Sequence, residues 1–186
     1  MIALLDANVL YPAPLRDVLL QLAVSDIFRA RWTRDIHREW IGSLLRNEPH
    51  RDREKLQKTR DMMDQATRDA LITGYEPLIN TLELPDPNDR HILAAAITGY
   101  CDVIVTKNLK DFPDNILLEY NLKAQHPDRF LLHHLDNNPT QFCAAIAKVR
   151  ARLKRPSYNV QQYLSILAKQ ELPTTVALLE QYSDRI

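Results

Sequence analysis

The chain has 186 residues, with 45% hydrophobic and 26% charged side chains. That suits one well-cored domain, or one domain plus a small appendage, and excludes a disordered or fibrous protein. No run approaches the ~18 apolar residues that span a bilayer, so no membrane segment is expected. The net charge is zero but uneven: residues 1–120 hold 15 basic and 19 acidic side chains, and residues 121–186 hold 9 and 5. A polyanionic partner would therefore be gripped by local basic patches and not by overall charge.

In chain order, Ile2 to Leu5 is a short continuous apolar run. It predicts a strand buried on both faces, ended by Asp6. The start, MIALLDANVLYP, has no basic flank and is broken by Asp6 and Asn8, so it does not read as an export signal. Cys101 and Cys143 are then expected as free thiols in a reducing cytoplasm. Ala7 to Pro14 is expected as a loop. Leu15, Val18, Leu19, Leu22 and Ala23 recur at helical spacing, with Pro14 near the helix start. Ile27 to Trp32 predicts a second strand. Thr33 is placed to cap a helix with the stripe Ile36, Trp40 and Leu44. Pro49 opens a charged segment running to about Leu71, whose sparse apolar positions predict an exposed helix. Leu78 to Leu84 reads as another strand.

The stretch LPDPNDRHILAAAITGYCDVIVTKNLKDFP carries the most information. Asn88 or Asp89 is expected to cap a helix carrying Ile92, Leu93, Ala96 and Ile97. Asp102 to Thr106 predicts a further buried strand, and Lys107 to Pro113 a polar loop. Strands alternating with helices point to an α/β fold with a parallel sheet flanked by helices. From about Lys123 every segment opens on Pro, Asn or Thr and reads as helix, an all-helical appendage. The expected division is therefore residues 1–120 and residues 121–186.

In open parallel sheets, reactive groups collect beyond the carboxyl ends of the strands. Asp6, then Asp86 and Asp89, then Thr106, Asn108 and Asp111 all fall at such expected ends, and Glu39 lies on the helix after the second strand. Each alone has a plainer explanation as a cap, a turn former or a solvated acid. Together, three or four carboxylates would hold one or two Mg2+ or Mn2+ ions, because hard cations take oxygen ligands and can support phosphodiester cleavage. Rival chemistries lack their motifs. There is no GxGxxG or P-loop, no CxxC or HExxH, and no GxSxG. A phosphatase with an Asp6 nucleophile would want an acid at position 8, which holds Asn8. His133 and His134 are adjacent on an expected helix, which suits a surface better than a shared ligand site.

LLDANVL, Glu39 after the first helix, and DPNDRHILAAAI with CDVIVTKNLKDFP together resemble the PIN-domain nucleases, especially the VapC-type ribonuclease toxins of bacterial toxin–antitoxin pairs. The resemblance spans roughly residues 2–120. It implies an endoribonuclease that uses Mg2+ or Mn2+, with Asp6, Glu39 and Asp89 as the first three acidic ligands. Many relatives have T-x-D at the fourth place. This chain has Thr106-Lys107-Asn108 with Asp111 three residues on, so either Asp111 or Asn108 is the fourth ligand, or a water bridges it. Asp86 is an additional carboxylate. Thr106 and Asn108 are expected to orient water or a phosphate oxygen. Residues 121–186 lie outside that core, and their run KVRARLKRP offers Lys148, Arg150, Arg152, Lys154 and Arg155 for RNA phosphates, or a solvated helix face. Arg29, Arg31, Arg34 and Arg38 form a second basic patch. The toxin resemblance further implies a small antitoxin partner and a homodimer. The alternatives are a housekeeping RNA-processing nuclease and a non-catalytic RNA-binding adaptor on the same fold.

Overall fold

The computed structural model describes residues 1–186, which divide into two compact units. The first comprises Met1–Tyr11 with Phe28–His126, and the second Pro12–Ile27 with Pro127–Ile186.

The first unit is built on four parallel strands, β1 (Ile2–Leu5), β2 (Arg29–Arg31), β3 (Val103–Val105) and β4 (Lys123–Gln125), in the order β2-β1-β3-β4. Ala3, Leu4 and Leu5, like Val103, Ile104 and Val105, are fully buried, as central strands covered on both faces should be. The register pairs Leu5 with Val105. The next residue of each strand, Asp6 and Thr106, therefore emerges side by side at the carboxyl edge. Two backbone bonds lock that edge: Asp6 N–H donates to Val105 O at 3.1 Å and Thr106 N–H to Gln125 O at 3.0 Å.

Beyond β1, the segment expected as loop begins with a single helical turn, α1 (Ala7–Leu10). Asp6 sits at its N-cap in extended conformation, and its carbonyl accepts from Val9 and Leu10. The long helix α2 (Ala13–Val24) follows, with Pro14 in its first turn, and belongs to the second unit. Past β2, Thr33 caps α3 (Arg34–Asn47) by accepting from Ile36 N–H at 3.1 Å. Ile36 and Trp40 are fully buried and Leu44 nearly so, as their spacing predicted. The charged helix α4 (Arg53–Ala66) buries only Leu56 and Met63 of its own residues. Its hold is partly polar. The Trp32 indole N–H donates to Asp64 at 2.7 Å, and His37 Nε2 lies 3.0 Å from the same oxygen. The Trp40 indole N–H donates to His37 Nδ1 at 2.9 Å, which makes Nε2 the protonated ring nitrogen. Burial pushes the His37 imidazole pKa down, although Asp64 opposes the shift.

The strand expected over Leu78–Leu84 is absent. Glu76–Ile79 instead forms a short helix, α5, with Pro77 in its first turn. Leu82 and Leu84 are buried with Glu83 exposed, an alternation that imitates a strand, but no strand pairs with them. A 3-10 turn, Pro87–Asp89, leads into α6 (Arg90–Thr98). After β3 come a 3-10 turn at Leu109–Asp111, the short helix α7 (Asp114–Leu117) and a 3-10 turn at Leu118–Tyr120. Then β4 takes up residues first read as helical tail, so the sheet runs past residue 120. Lys-Ala-Gln has no β-branched or aromatic residue to mark it, and β4 pairs only with β3 at the sheet edge.

In the second unit, α8 (Pro127–Asn137), α9 (Pro139–Arg152), α10 (Val160–Ala168) and α11 (Pro173–Glu180) join α2. Asn138 caps α9, and Asn159 caps α10 through a reciprocal capping box with Gln162. Helix α11 has no capping side chain of its own, and Asp128 of α8 supplies one. Asp128 accepts from Thr174 N–H at 3.0 Å, Thr174 Oγ1 at 2.7 Å and Thr175 N–H at 2.8 Å. His134 corrects the expectation of a surface pair: His133 is exposed, but His134 is buried edge-on against Phe130, with ring centroids 4.7 Å apart. Burial, with His133 beside it, pushes the His134 pKa down to about 4. No helix is long and apolar enough to cross a membrane.

Candidate metal centre

Four segments converge at the carboxyl edge of β1 and β3. Asp6 is almost wholly buried, and Thr106 is fully buried. The Thr106 hydroxyl donates to Asp6 Oδ2 at 2.7 Å, and accepts from Asn8 Nδ2 at 2.9 Å and Asn108 N–H at 3.0 Å. One donor and both lone pairs are thereby used. Thr106 is thus committed to holding Asp6, which leaves its hydroxyl no bond for a water or phosphate.

Asn8 completes the clamp. Its amide also donates to Asp6 Oδ2 at 2.6 Å, and its carbonyl accepts from Lys107 N–H at 3.0 Å. Asn8 is a site residue that sequence reasoning missed. The only signal was a polar side chain two residues beyond a strand-ending Asp. Its amide holds Asp6 and Thr106 and its carbonyl holds the Lys107 N–H, so it ties Asp6 to the end of β3.

Asp89 links two groups of acids. With Asp86 and Asp111 it forms a triad of half-buried carboxylates whose oxygens lie within 4.8 Å of one another. With Asp6, Asn8, Glu39 and Asn108 it lines a cavity of about 490 Å³. These acids reach the site without the strand once expected before them. Asp86 accepts from Asn88 N–H at 2.8 Å and shapes the turn that carries Asp89 to the start of α6. Asn108 donates its side-chain amide to Asp111 and so steadies that carboxylate. Glu39, 43% exposed, comes from α3 and contacts His91 Nε2 at 2.8 Å.

The electrostatics are those of a site short of positive charge. Burial pushes the Asp6 pKa up; Glu39 adds to the rise, while the Thr106 and Ala7 hydrogen bonds oppose it. Burial likewise raises Asp89, and repulsion from Asp6, Asp86 and Asp111 carries it to about 6. An acid whose folded pKa lies above 3.8 contributes stability at low pH that is lost as pH rises through about 6. Metal-free Asp89→Asn should therefore melt higher than wild type at pH 7.5, and the two melting curves should converge by pH 4. Saturating Mn2+ should raise the wild-type melting temperature more than that of the variant. Differential scanning fluorimetry across pH checks both.

Arg150, Arg152, Lys154 and Arg155 belong to the second unit. Arg152, Lys154 and Arg155 are exposed, but Arg150 is committed to the carbonyls of Tyr158 at 3.0 Å and Ile186 at 3.2 Å.

Residues 3–110 match the PIN domain family, and residues 127–181 match the VapC50 C-terminal domain. Over 67 residues the chain is 51% identical to a Mycobacterium tuberculosis protein named "Putative ribonuclease VapC50", an overlap covering 36% of this chain and 39% of that relative. No solved structure matches. The chain belongs to the PIN-domain family, its PIN domain followed by a VapC50-type C-terminal domain.

Proposed function

We propose that this protein is a Mg2+- or Mn2+-dependent endoribonuclease, acting in the cytoplasm as the toxin of a toxin–antitoxin pair. The observation that carries this reading is Asp89, shared between the carboxylate triad and the cavity that holds Asp6 and Glu39. The donor set fits a hard divalent ion: every group is oxygen, and the acids repel one another without a cation. Asp6, Asp89, Asp111 and Glu39 would hold the metal, with Asp86 in support. When bound, Mg2+ or Mn2+ supplies positive charge against the phosphoryl oxygens and acidifies water.

This chain's residues supply the rest. Asn8 and Thr106 fix Asp6, and Asn108 steadies Asp111. The cavity over Asp6 and Asp89 admits a phosphodiester. Exposed Arg152, Lys154 and Arg155 are free to meet other RNA phosphates, each as a salt-sensitive contact. RNA as substrate, a small antitoxin partner and a homodimer follow the VapC likeness.

The test is a panel of labelled RNA and DNA of one sequence, plus p-nitrophenyl phosphate. Internal cuts in RNA with Mg2+ or Mn2+, abolished by EDTA, support the proposal. Cleavage that survives EDTA, or turnover of the monoester alone, refutes it. Growth arrest on expression in bacteria, absent for Asp6→Asn, would favour the toxin role over RNA processing.

A further inference from the structure

We propose that His91 is a positioning residue that holds Glu39 toward the metal centre from across the α3–α6 gap; the inference deepens the metal-dependent reading above and rests on it.

Each of the other acids, Asp89 excepted, is oriented by a neighbour close in sequence or in the sheet. Asp6 has Asn8 and Thr106, Asp111 has Asn108, and Asp86 has the backbone of Asn88. Glu39 has none of these. It stands on the half-exposed flank of α3, a flexible side chain whose one polar contact is His91. Left loose, it would pay its rotamer freedom on binding an ion.

The contact has a definite chemistry. His91 Nε2 lies 2.8 Å from Glu39 Oε1. A bare ring nitrogen at that distance would set lone pair against lone pair, so Nε2 carries the proton and points it at the carboxylate. His91 Nδ1 is buried with no partner. A buried N–H without an acceptor costs more than a bare lone pair, which again places the proton on Nε2. His91 is 13% exposed at its side chain and sits two residues after Asp89, in the first turn of α6. One helix start thus carries both an acid of the centre and the donor that aims another. The second oxygen of Glu39 is left for an ion. Groups that orient metal ligands in this way commonly account for ~10–100-fold in metal affinity.

The experiment is Mn2+ titration of the full chain by calorimetry at fixed pH, with melting temperatures recorded for every variant. A Gln side chain places its amide near the position of Nε2, and an Asn side chain near Nδ1. His91→Ala and His91→Asn should weaken Mn2+ binding about 10–100-fold, and His91→Gln should stay within about threefold of wild type. In a Glu39→Gln background, His91→Ala should cause no further loss, since the two act through one carboxylate. Wild-type affinity in His91→Ala, rescue by Asn as good as by Gln, or losses that multiply in the double variant would each overturn the proposal. Mn2+ binding with this pattern but without RNA cleavage would refute the nuclease reading and leave His91's role standing. No Mn2+ binding by wild type would overturn both.

Discussion

On the proposed function, Asp6→Asn should lower RNA cleavage by about 10³-fold, roughly 4 kcal/mol of transition-state stabilisation, without loosening the fold. The substitution is nearly isosteric. The Asn oxygen can still accept from Asn8 and Thr106, so the clamp at the sheet edge persists. What disappears is the negative charge. That charge is costly in the metal-free fold, because burial pushes the Asp6 pKa up. Stability from such a group is present at low pH and lost as pH rises through the folded pKa, so removing the acid relieves the fold at neutral pH. The metal-free variant should melt at or above the wild-type temperature, although its cleavage with Mg2+ or Mn2+ falls. A variant that lost activity and stability together would instead assign Asp6 a structural role. Rates on labelled RNA and melting curves in EDTA separate the two.

The second large effect lies in the C-terminal helices. Asp128→Ala should destabilise the second unit by about 3 kcal/mol, because it removes three hydrogen bonds to a buried carboxylate and leaves the first turn of α11 with unmatched donors. Burial alone would raise the Asp128 pKa, but the Thr174 and Thr175 donors outweigh it and hold the acid below the usual carboxylate range. Its folded pKa being depressed, its contribution is present above the ordinary value of 3.8 and is lost as pH falls through that range. Urea midpoints of wild type and variant should differ most at pH 7 and draw together only as the pH falls well below 3.8. Amide exchange should show α11 opening first, and Asp128→Asn, which keeps an acceptor, should lose less.

Some of this architecture was legible in residue order, and the reasons differ by element. Continuous apolar runs marked β1 and β3, because central parallel strands are buried on both faces. An acid directly after β1 then had to lie at the sheet's carboxyl edge. Thr33 and the Ile36–Trp40–Leu44 stripe revealed α3, since cap and period are local properties. Lys123–Gln125 gave no sign, because an edge strand can be specified by its partner more than by its own side chains. Leu82 and Leu84 misled for the converse reason: alternation reports burial, and burial here comes without a pairing strand. Asp86 and Asp89 were singled out from their chemistry, and the structure brings them together with Asp111, while the element before them was misread.

The roles of Asn8 and His91 were out of reach for another reason. Asn8 acts on residue 106, and His91 on residue 39, so both roles exist only once distant segments meet. Thr106 shows the same point in reverse. Its side chain suggested contact with substrate, and its filled hydrogen bonds assign it to Asp6.

Asp89 is the acid common to the carboxylate triad and the cavity, and the proposed metal site depends on it. The most direct test is the rate of RNA cleavage by wild type and Asp89→Asn across a Mn2+ series that begins in EDTA. Wild type should be silent in EDTA and rise to saturation. Asp89→Asn should require at least about tenfold more Mn2+ and reach a far lower plateau. Superimposable curves for the two proteins would contradict the account.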